Sequence, residues 1–541
     1  MGQVFNEPVL SHAPGSPERA RVDAELASQA AQPVSVPLVI GGERIVTEAT
    51  RAFAAPHRHA LHLGQLALAE PAHVARAIDA ALAQKSAWAA FSLAERAAVF
   101  RRAADLASGP WRARLLAATM LNQSKTVHQA EIDAACELID FFRFNASFAE
   151  ELAEQPLIST ATELNRFELR PLDGFVYAVT PFNFTAIAGN LPTAPALLGN
   201  TVLWKPSPLA ALSGHYVLAL LEAAGLPPGV INVVQGDPAA ISAQVLDHPA
   251  FAGLHYTGSS AVFQGLWRGI GERITRYRSY PRIVGETGGK DFIVAHPSAD
   301  VTALAVAIVR GGFEYQGQKC SAASRLYLPR SLAPAVEAEV RSMVAEIRVG
   351  DPADSQHFMG AVIGRAAFSR ISGYLERARL DSACRIACGG GYDDSVGYFV
   401  EPTLIEVSDP RHALMSEEIF GPVVSHFVYD DDRFAQILSV VDESTPYALT
   451  GAIFARDPRA IAVSSARLAQ AAGNFYINDK PTGAVVGQQP FGGGRLSGTN
   501  DKAGSAWNLM RWASPRVIKE NLNPPRDFRY PFMSAPGRAH S

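Results

Sequence analysis

The stretch GFVYAVTPFNFTAIAGNLPTAPALLGNTVLW, residues 174–204, holds no charged side chain and is long enough to cross a bilayer. Three prolines (Pro181, Pro192, Pro195) and three amides (Asn183, Asn190, Asn200) interrupt it, and in lipid those amides would lack partners. It therefore reads as a buried strand Phe175–Thr180, a loop, a helix and a strand Thr201–Lys205. A helix His215–Ala224, stopped by Gly225, Pro227 and Pro228, leads to a third strand, Val230–Val234. Strand, crossover and strand again is the signature of an α/β protein with mostly parallel sheets.

The alternation continues outward. Pro71–Ala90, Ala94–Ser108, Trp111–Gln123 and Ala130–Glu150 carry helical periodicity and are expected to clothe a sheet. Glu163–Arg170 alternates polar with apolar residues, a strand expected in a hairpin displaced from the main sheet. His255-Tyr256-Thr257-Gly258-Ser259 reads as a strand end opening onto a helix N-terminus, where backbone N–H groups can meet a phosphate. After Glu286 the pattern restarts with strand Asp291–Ala295, helix Val301–Gly311, strand Arg325–Leu328 and helix Leu332–Ile347, so a second domain begins there. No Gly-x-Gly-x-x-Gly occurs, so any dinucleotide must be held without that turn. The proline- and arginine-rich residues after Asn521 read as an exposed tail.

A chain of 541 residues is long enough for two or three domains. With 52 acidic and 48 basic residues and a net charge of −4, it has no global basic field for nucleic acid or an anionic membrane; the expected partner is a small molecule. Four scattered cysteines do not make a disulfide framework and suit a reducing compartment. Cys384 with Cys388, and His57, His59 and His62, lack the spacing of a four-ligand site, and no metal is expected. The N-terminal segment has no apolar h-region and carries Glu7, Glu18, Asp23 and Glu25, so a cytoplasmic location is expected.

Chemistry gathers in three loops. Gly317-Gln318-Lys319-Cys320-Ser321 sets one thiol beside a cation and a hydroxyl, and a nearby positive charge favours the nucleophilic thiolate. Val284-Gly285-Glu286-Thr287-Gly288-Gly289-Lys290 offers a carboxylate flanked by glycines that permit close approach. Pro181-Phe182-Asn183-Phe184 offers an amide able to donate to an oxyanion. Taken singly, Cys320 reads as a buried apolar residue and Glu286 as a solvated acid. Together they supply nucleophile, base and oxyanion donor, a set that also suits a cysteine hydrolase acting on esters. A noncatalytic scaffold is the third reading.

These three motifs, with Lys205-Pro206-Ser207, Thr257-Gly258-Ser259 and Glu417-Glu418-Ile419-Phe420-Gly421-Pro422 in sequence order, resemble the aldehyde dehydrogenase superfamily. Gln129-Ala130-Glu131-Ile132-Asp133, Phe141-Phe142-Arg143-Phe144-Asn145, Asn474-Phe475-Tyr476-Ile477-Asn478-Asp479-Lys480 and Gly487-Gln488-Gln489-Pro490-Phe491-Gly492-Gly493 are similar to the members that oxidise glutamate γ-semialdehyde in proline catabolism. The likeness starts near Phe5-Asn6-Glu7-Pro8 and covers nearly the full length. It implies an aldehyde dehydrogenase-like α/β fold in three parts: a Rossmann-like NAD domain (1–154 and 172–286), a catalytic domain (287–482), and an oligomerisation strand or hairpin with the C-terminal tail (155–171 and 505–541). A homodimer or higher oligomer and a transient contact with a proline-oxidising enzyme are further implications.

Residue by residue, the resemblance assigns Cys320 as nucleophile, Glu286 as base and Asn183 as oxyanion donor. Lys205 and Ser207 are expected at the adenine ribose of NAD, Gly258 and Ser259 near the pyrophosphate, and Glu418 at the nicotinamide ribose beside Phe420, which reads equally well as core. Many members carry glutamate where this chain has Pro208, so the choice of NAD over NADP rests on the narrower likeness. For the substrate, Ser321, Gly483 and Ala484 are expected at the α-carboxylate, Glu131 at the α-amino group, and Phe184 and Phe491 along the aliphatic chain. Ala484 stands where other members have serine, which removes one hydroxyl contact. Lys319 is expected to point to solvent, as lysines seldom bury their charge.

Overall fold

A computed structural model describes residues 4–533. Two seven-stranded sheets dominate it. The first runs Arg282–Glu286, Phe251–Thr257, Phe175–Val179, Thr201–Lys205, Ile231–Val233, Leu38–Ile40, Glu43–Ile45. Its first five strands are parallel, and the last two join antiparallel from the N-terminal part. Along Phe175–Ala178, Phe175 and Tyr177 face one core cluster while Val176 and Ala178 face another. Both faces are clothed by helices, which is why this sheet reads as continuous apolar runs.

The second sheet runs Cys384–Cys388, Thr403–Val407, Val423–Tyr429, Ala323–Pro329, Asp291–Ala295, Thr450–Phe454, Asn474–Ile477, all parallel except its first pair. Residues 287–290 pass from the edge of the first sheet to the middle of the second, which puts Glu286 where the two sheets meet.

The uncharged stretch folds as expected, with helix Thr185–Leu197 between its strands and both prolines inside that helix. Its amides find partners within the protein. Asn190 Oδ1 accepts from Asn145 at 2.9 Å, and Asn200 donates to the Pro195 and Trp512 carbonyls at 2.9 and 2.8 Å. Among the described residues no helix is long and apolar enough to cross a membrane.

Departures from the sequence reading have tertiary causes. The helix expected at His215 begins at Ala211, one turn early, because the Asn122 side chain of another helix accepts the Leu212 N–H at 2.9 Å. The helix expected at Ala130–Glu150 is Val127–Ala153 and contains a π-helical segment, Glu131–Glu137. Glu163–Pro171 is indeed a strand off the main sheets, but not in a local hairpin: it pairs antiparallel with Ala513–Asn521, Phe167 opposite Val517. The tail expected after Asn521 is exposed as far as Met533, and residues 534–541 lie outside the described residues. Five strands that the sequence did not announce precede Glu163.

Candidate active site

Strain presents the thiol. Tyr315, Gln316 and Gly317 are consecutively left-handed, with φ of 52°, 56° and 63°, which costs about 1–2 kcal/mol for each non-glycine residue. The surroundings hold the turn in place. Gln316 Nε2 donates to the carbonyls of Ser124 (3.0 Å) and Ala361 (2.6 Å), and Gln318 Oε1 accepts the Ile363 N–H at 2.9 Å. At Gly317 any side chain would run into the Gly421 carbonyl. Cys320 emerges half-buried from this turn, and burial, reinforced by the carboxylates of Asp291, Glu418 and Glu286, pushes its thiol well above the usual range.

Asn183 is buried against the same loop, its Nδ2 donating to the Gln318 carbonyl at 3.0 Å. Glu418 Oε1 accepts the Gly289 N–H at 3.0 Å, and a side chain at Gly288 would overlap the Glu418 carboxylate. Glu286 ends the edge strand, where the Gly258 N–H donates to its carbonyl at 3.2 Å. Its carboxylate oxygens are buried and make no hydrogen bond of ordinary geometry. Burial pushes this acid well above the carboxylate range, opposed by the Gly493 N–H and Lys502. The side chain lies toward Gly492 and forms no part of either cavity wall at Cys320.

Two cavities share Cys320 as a wall. The first, of about 820 Å³, is lined by all six residues expected at a cofactor (Lys205, Ser207, Gly258, Ser259, Glu418 and Phe420) together with Asn183. Phe420 is thus a wall residue, edge-on to Phe182 with ring centroids 5.9 Å apart. Lys205 is buried, which lowers its amine to about 8, with only Asp237 opposing. Gly258 and Ser259 lead into the N-terminus of helix Ser260–Glu272.

The second cavity, of about 370 Å³, is lined by Phe184, Ser321, Gly483, Ala484 and Phe491. Thr482, not foreseen from sequence, joins them, its Oγ1 2.8 Å from Ser321 Oγ. Glu131 does not reach this wall. It is fully buried elsewhere, bonded to Arg112 and, at 2.9 Å, to His12. Glu137 lines the cavity instead, and burial lifts its carboxyl to about 8, with Asp133 adding to the rise and Lys125 opposing it. Six residues apart on a regular helix, two side chains already face different ways, and here the turns between the two acids are π-helical. Lys319 also departs from expectation: it is 8% exposed and pairs with Glu314 at 3.2 Å on the cavity wall.

A buried ion pair underlies Phe184 and the start of the helix that follows it. Lys125 Nζ lies 2.7 Å from Asp133 Oδ2 and 4.3 Å from the ring centroids of both Phe184 and Tyr315. Asp133 also accepts the N–H groups of Thr185 (2.9 Å) and Ala186 (2.8 Å) at the start of the next helix. Asp133→Ala leaves a buried cation alone, at a cost of about 3–5 kcal/mol, so the melting temperature should fall by several degrees; an unchanged midpoint would deny the pair this role.

Among the described residues, Asp381, Cys384 and His412 bring ligand atoms within 4.8 Å of one another. However, His412 Nδ1 accepts the Leu414 N–H at 3.1 Å, which leaves the ring proton on Nε2, the atom that faces the other two. Glu337, Glu406 and His426 form a second such group, and Arg385 already pairs with both of its carboxylates.

Comparison with known proteins agrees with this geometry. The aldehyde dehydrogenase family pattern matches residues 47–518. The mitochondrial delta-1-pyrroline-5-carboxylate dehydrogenase of Mus musculus is 48% identical over 532 residues, 98% of this chain and 95% of the relative. The crystal structure of the Delta-pyrroline-5-carboxylate dehydrogenase from Mycobacterium tuberculosis bound with NAD matches with a TM-score of 0.96 at 54% identity, over 99% of each chain. Proline utilization A from Bdellovibrio bacteriovorus matches at a TM-score of 0.90 and 27% identity, over 96% of this chain and 53% of its own. The expected cytoplasmic location is overturned, since the mouse, bovine and human relatives are all mitochondrial by name. A cysteine on a strained turn between two cavities, reached by an ordered set of motifs and matched over most of its length, places this chain in the aldehyde dehydrogenase family.

Proposed function

We propose that the protein oxidises L-glutamate γ-semialdehyde, the open form of Δ1-pyrroline-5-carboxylate, to L-glutamate with NAD, the second step of proline catabolism. One observation carries this reading: Cys320 is a wall of both cavities, so a single sulfur meets a cofactor-sized space and a smaller space bearing both an acid and cations. The relatives' names and the NAD-bound neighbour support it.

The larger cavity fits a dinucleotide. Lys205 is a buried cation without a close carboxylate, a helix N-terminus stands at Ser260, and glycines at 258 and 288 leave room where a side chain would collide with Tyr256 or Glu418. NAD supplies the hydride acceptor and, in its ring, a positive charge that favours the thiolate.

Cys320 attacks the aldehyde carbon, and the oxyanion is held by its own N–H and by the Asn183 amide. One amide hydrogen remains for this after the bond to Gln318. Loss of hydride leaves a thioester on Cys320. Glu286 turns from the Gly492 side toward the sulfur and deprotonates a water, which releases the acid and the free thiol. Aldehyde, NAD⁺ and water give carboxylate, NADH and two protons.

In the smaller cavity, Glu137 takes the α-ammonium group. Ser321, Thr482 and the backbone at Gly483 and Ala484 take the α-carboxylate, with Lys480 adding positive charge on the same wall. Thr482 brings a hydroxyl to a wall where Ala484 has none. Phe184 and Phe491 flank the methylenes.

The first sheet with its helices is assigned to the cofactor, the second to catalysis. The ribbon of Glu163–Pro171 with Ala513–Asn521 is assigned to self-association, supported by its outer edges, which pair with no other strand among the described residues. Contact with a proline-oxidising enzyme is supported by the match to proline utilization A.

Supplied with Δ1-pyrroline-5-carboxylate and NAD, the purified protein should produce NADH at least tenfold more efficiently than with succinate semialdehyde. Preference for the latter would move the assignment to a sibling, and ester cleavage without nicotinamide would favour a hydrolase.

A further inference from the structure

Residues 5–12 precede the first helix, Pro17–Ala31, and form neither helix nor strand. No residue of this segment belongs to a hydrophobic core cluster, and Phe5 and Val9 stay exposed. Polar contacts hold it instead. Asn6 Nδ2 donates to Asp140 (2.8 Å) and to the Val486 carbonyl (2.7 Å), while Gln488 donates to Asn6 Oδ1 at 2.9 Å. The Glu7 N–H donates to Asp140 at 2.8 Å, and the Glu7 carboxylate pairs with Arg112 (2.6 Å) and Arg143 (2.7 Å). Further along, Glu131 accepts the Leu10 N–H at 2.8 Å and pairs with His12 at 2.9 Å, and Arg112 joins Glu131 to Glu7.

This segment reaches the aldehyde cavity, where Asn6, Glu7 and Val9 are wall residues. It also connects two elements. Glu131, Asp140 and Arg143 belong to the helix Val127–Ala153 that presents Glu137, whereas Val486 and Gln488 belong to the loop that presents Gly483 and Ala484. In the reaction proposed above, those elements hold the α-ammonium and α-carboxylate groups.

We infer that residues 5–12 are a strap that sets aldehyde specificity, fixing the distance between the Glu137 helix and the 483–489 loop so that an α-amino acid aldehyde fits and a simple aldehyde gains nothing. The inference rests on the proposed function, and it gives Glu131 a role the sequence did not: the anchor of the strap. Burial pushes the Glu131 carboxyl up, but His12 and Arg112 outweigh this and hold it at about 2, so the anchor stays charged. With none of its residues in a hydrophobic core cluster, the strap is held chiefly by these charges and hydrogen bonds.

The test compares Δ1-pyrroline-5-carboxylate with propanal in the full-length wild type, Glu7→Gln, and His12→Ala, whose side chain is not on the cavity wall. Glu7→Gln should lower the ratio of kcat/KM for the two substrates about tenfold through KM for the amino acid aldehyde, with kcat little changed. His12→Ala should move it the same way, and Glu7→Asp should restore part of the loss. In the wild type, L-glutamate should slow hydrogen exchange at the amides of Glu7, Val9 and Leu10. An unchanged ratio in both variants overturns the strap, and if neither variant folds, absence of exchange protection in the wild type overturns it. A wild type that does not oxidise the semialdehyde would instead defeat the proposed function, and the two failures are separate readings of one experiment.

Discussion

Replacing Cys320 by alanine is expected to lower kcat for glutamate semialdehyde by about 10⁴-fold or more, equivalent to about 5.5 kcal/mol of transition-state stabilisation, while NAD affinity changes little. The asymmetry follows from the site. Among the described residues Cys320 alone lines both cavities, and its sulfur can hold the acyl group, whereas the larger cavity keeps Lys205, Ser207, the Ser260 helix N-terminus and Glu418 intact. The turn that presents residue 320 is held by Gln316, Gln318 and Gly317 and does not depend on the sulfur. Steady-state kinetics beside a fluorescence titration with NADH separates the two effects. Residual turnover within a hundredfold of wild type would place the nucleophile elsewhere.

Glu286→Gln is expected to change the shape of the time course as well as its rate. Hydride leaves before water attacks, so the variant should release about one NADH per subunit in a burst and then turn over about 10²–10⁴-fold more slowly. Burial already pushes this acid well above the carboxylate range, and only its ionised form accepts a proton from water. Wild-type turnover should therefore fall as pH drops through that raised value, and the variant's slow phase should lose that dependence. A slow variant with no burst would mean that Glu286 acts before hydride transfer, and a variant as fast as wild type would remove it from the reaction.

Much of the site was legible because its chemistry is written in short local runs. Asn183 sits two residues before a helix, Cys320 follows a left-handed turn with glycine at its end, and Glu418 needs the glycine at 288 to approach. Each of these is a backbone requirement that leaves a mark in sequence. The acid facing the substrate cavity left no such mark. Glu131 and Glu137 are equivalent in type and sit in one helix, and which of them lines the cavity and which is sealed under the N-terminal strap depends on packing. Lys319 leaves the expected solvent position for a related reason: Glu314 lies five residues earlier and meets it because the chain doubles back through Tyr315 and Gln316.

By itself the sequence determined the α/β alternation, the crossing from one sheet to the next at Glu286, and the three loops proposed to supply nucleophile, base and oxyanion donor, since periodicity, glycine placement and side-chain chemistry act over a few residues. Only the tertiary structure decided which acid lines the aldehyde cavity, where the long strand at Glu163 finds its partner, and what residues 5–12 are for. These outcomes depend on groups brought together across hundreds of residues, such as Asn6 with Gln488 and Phe167 with Val517, and a local pattern carries no information about a partner that distant.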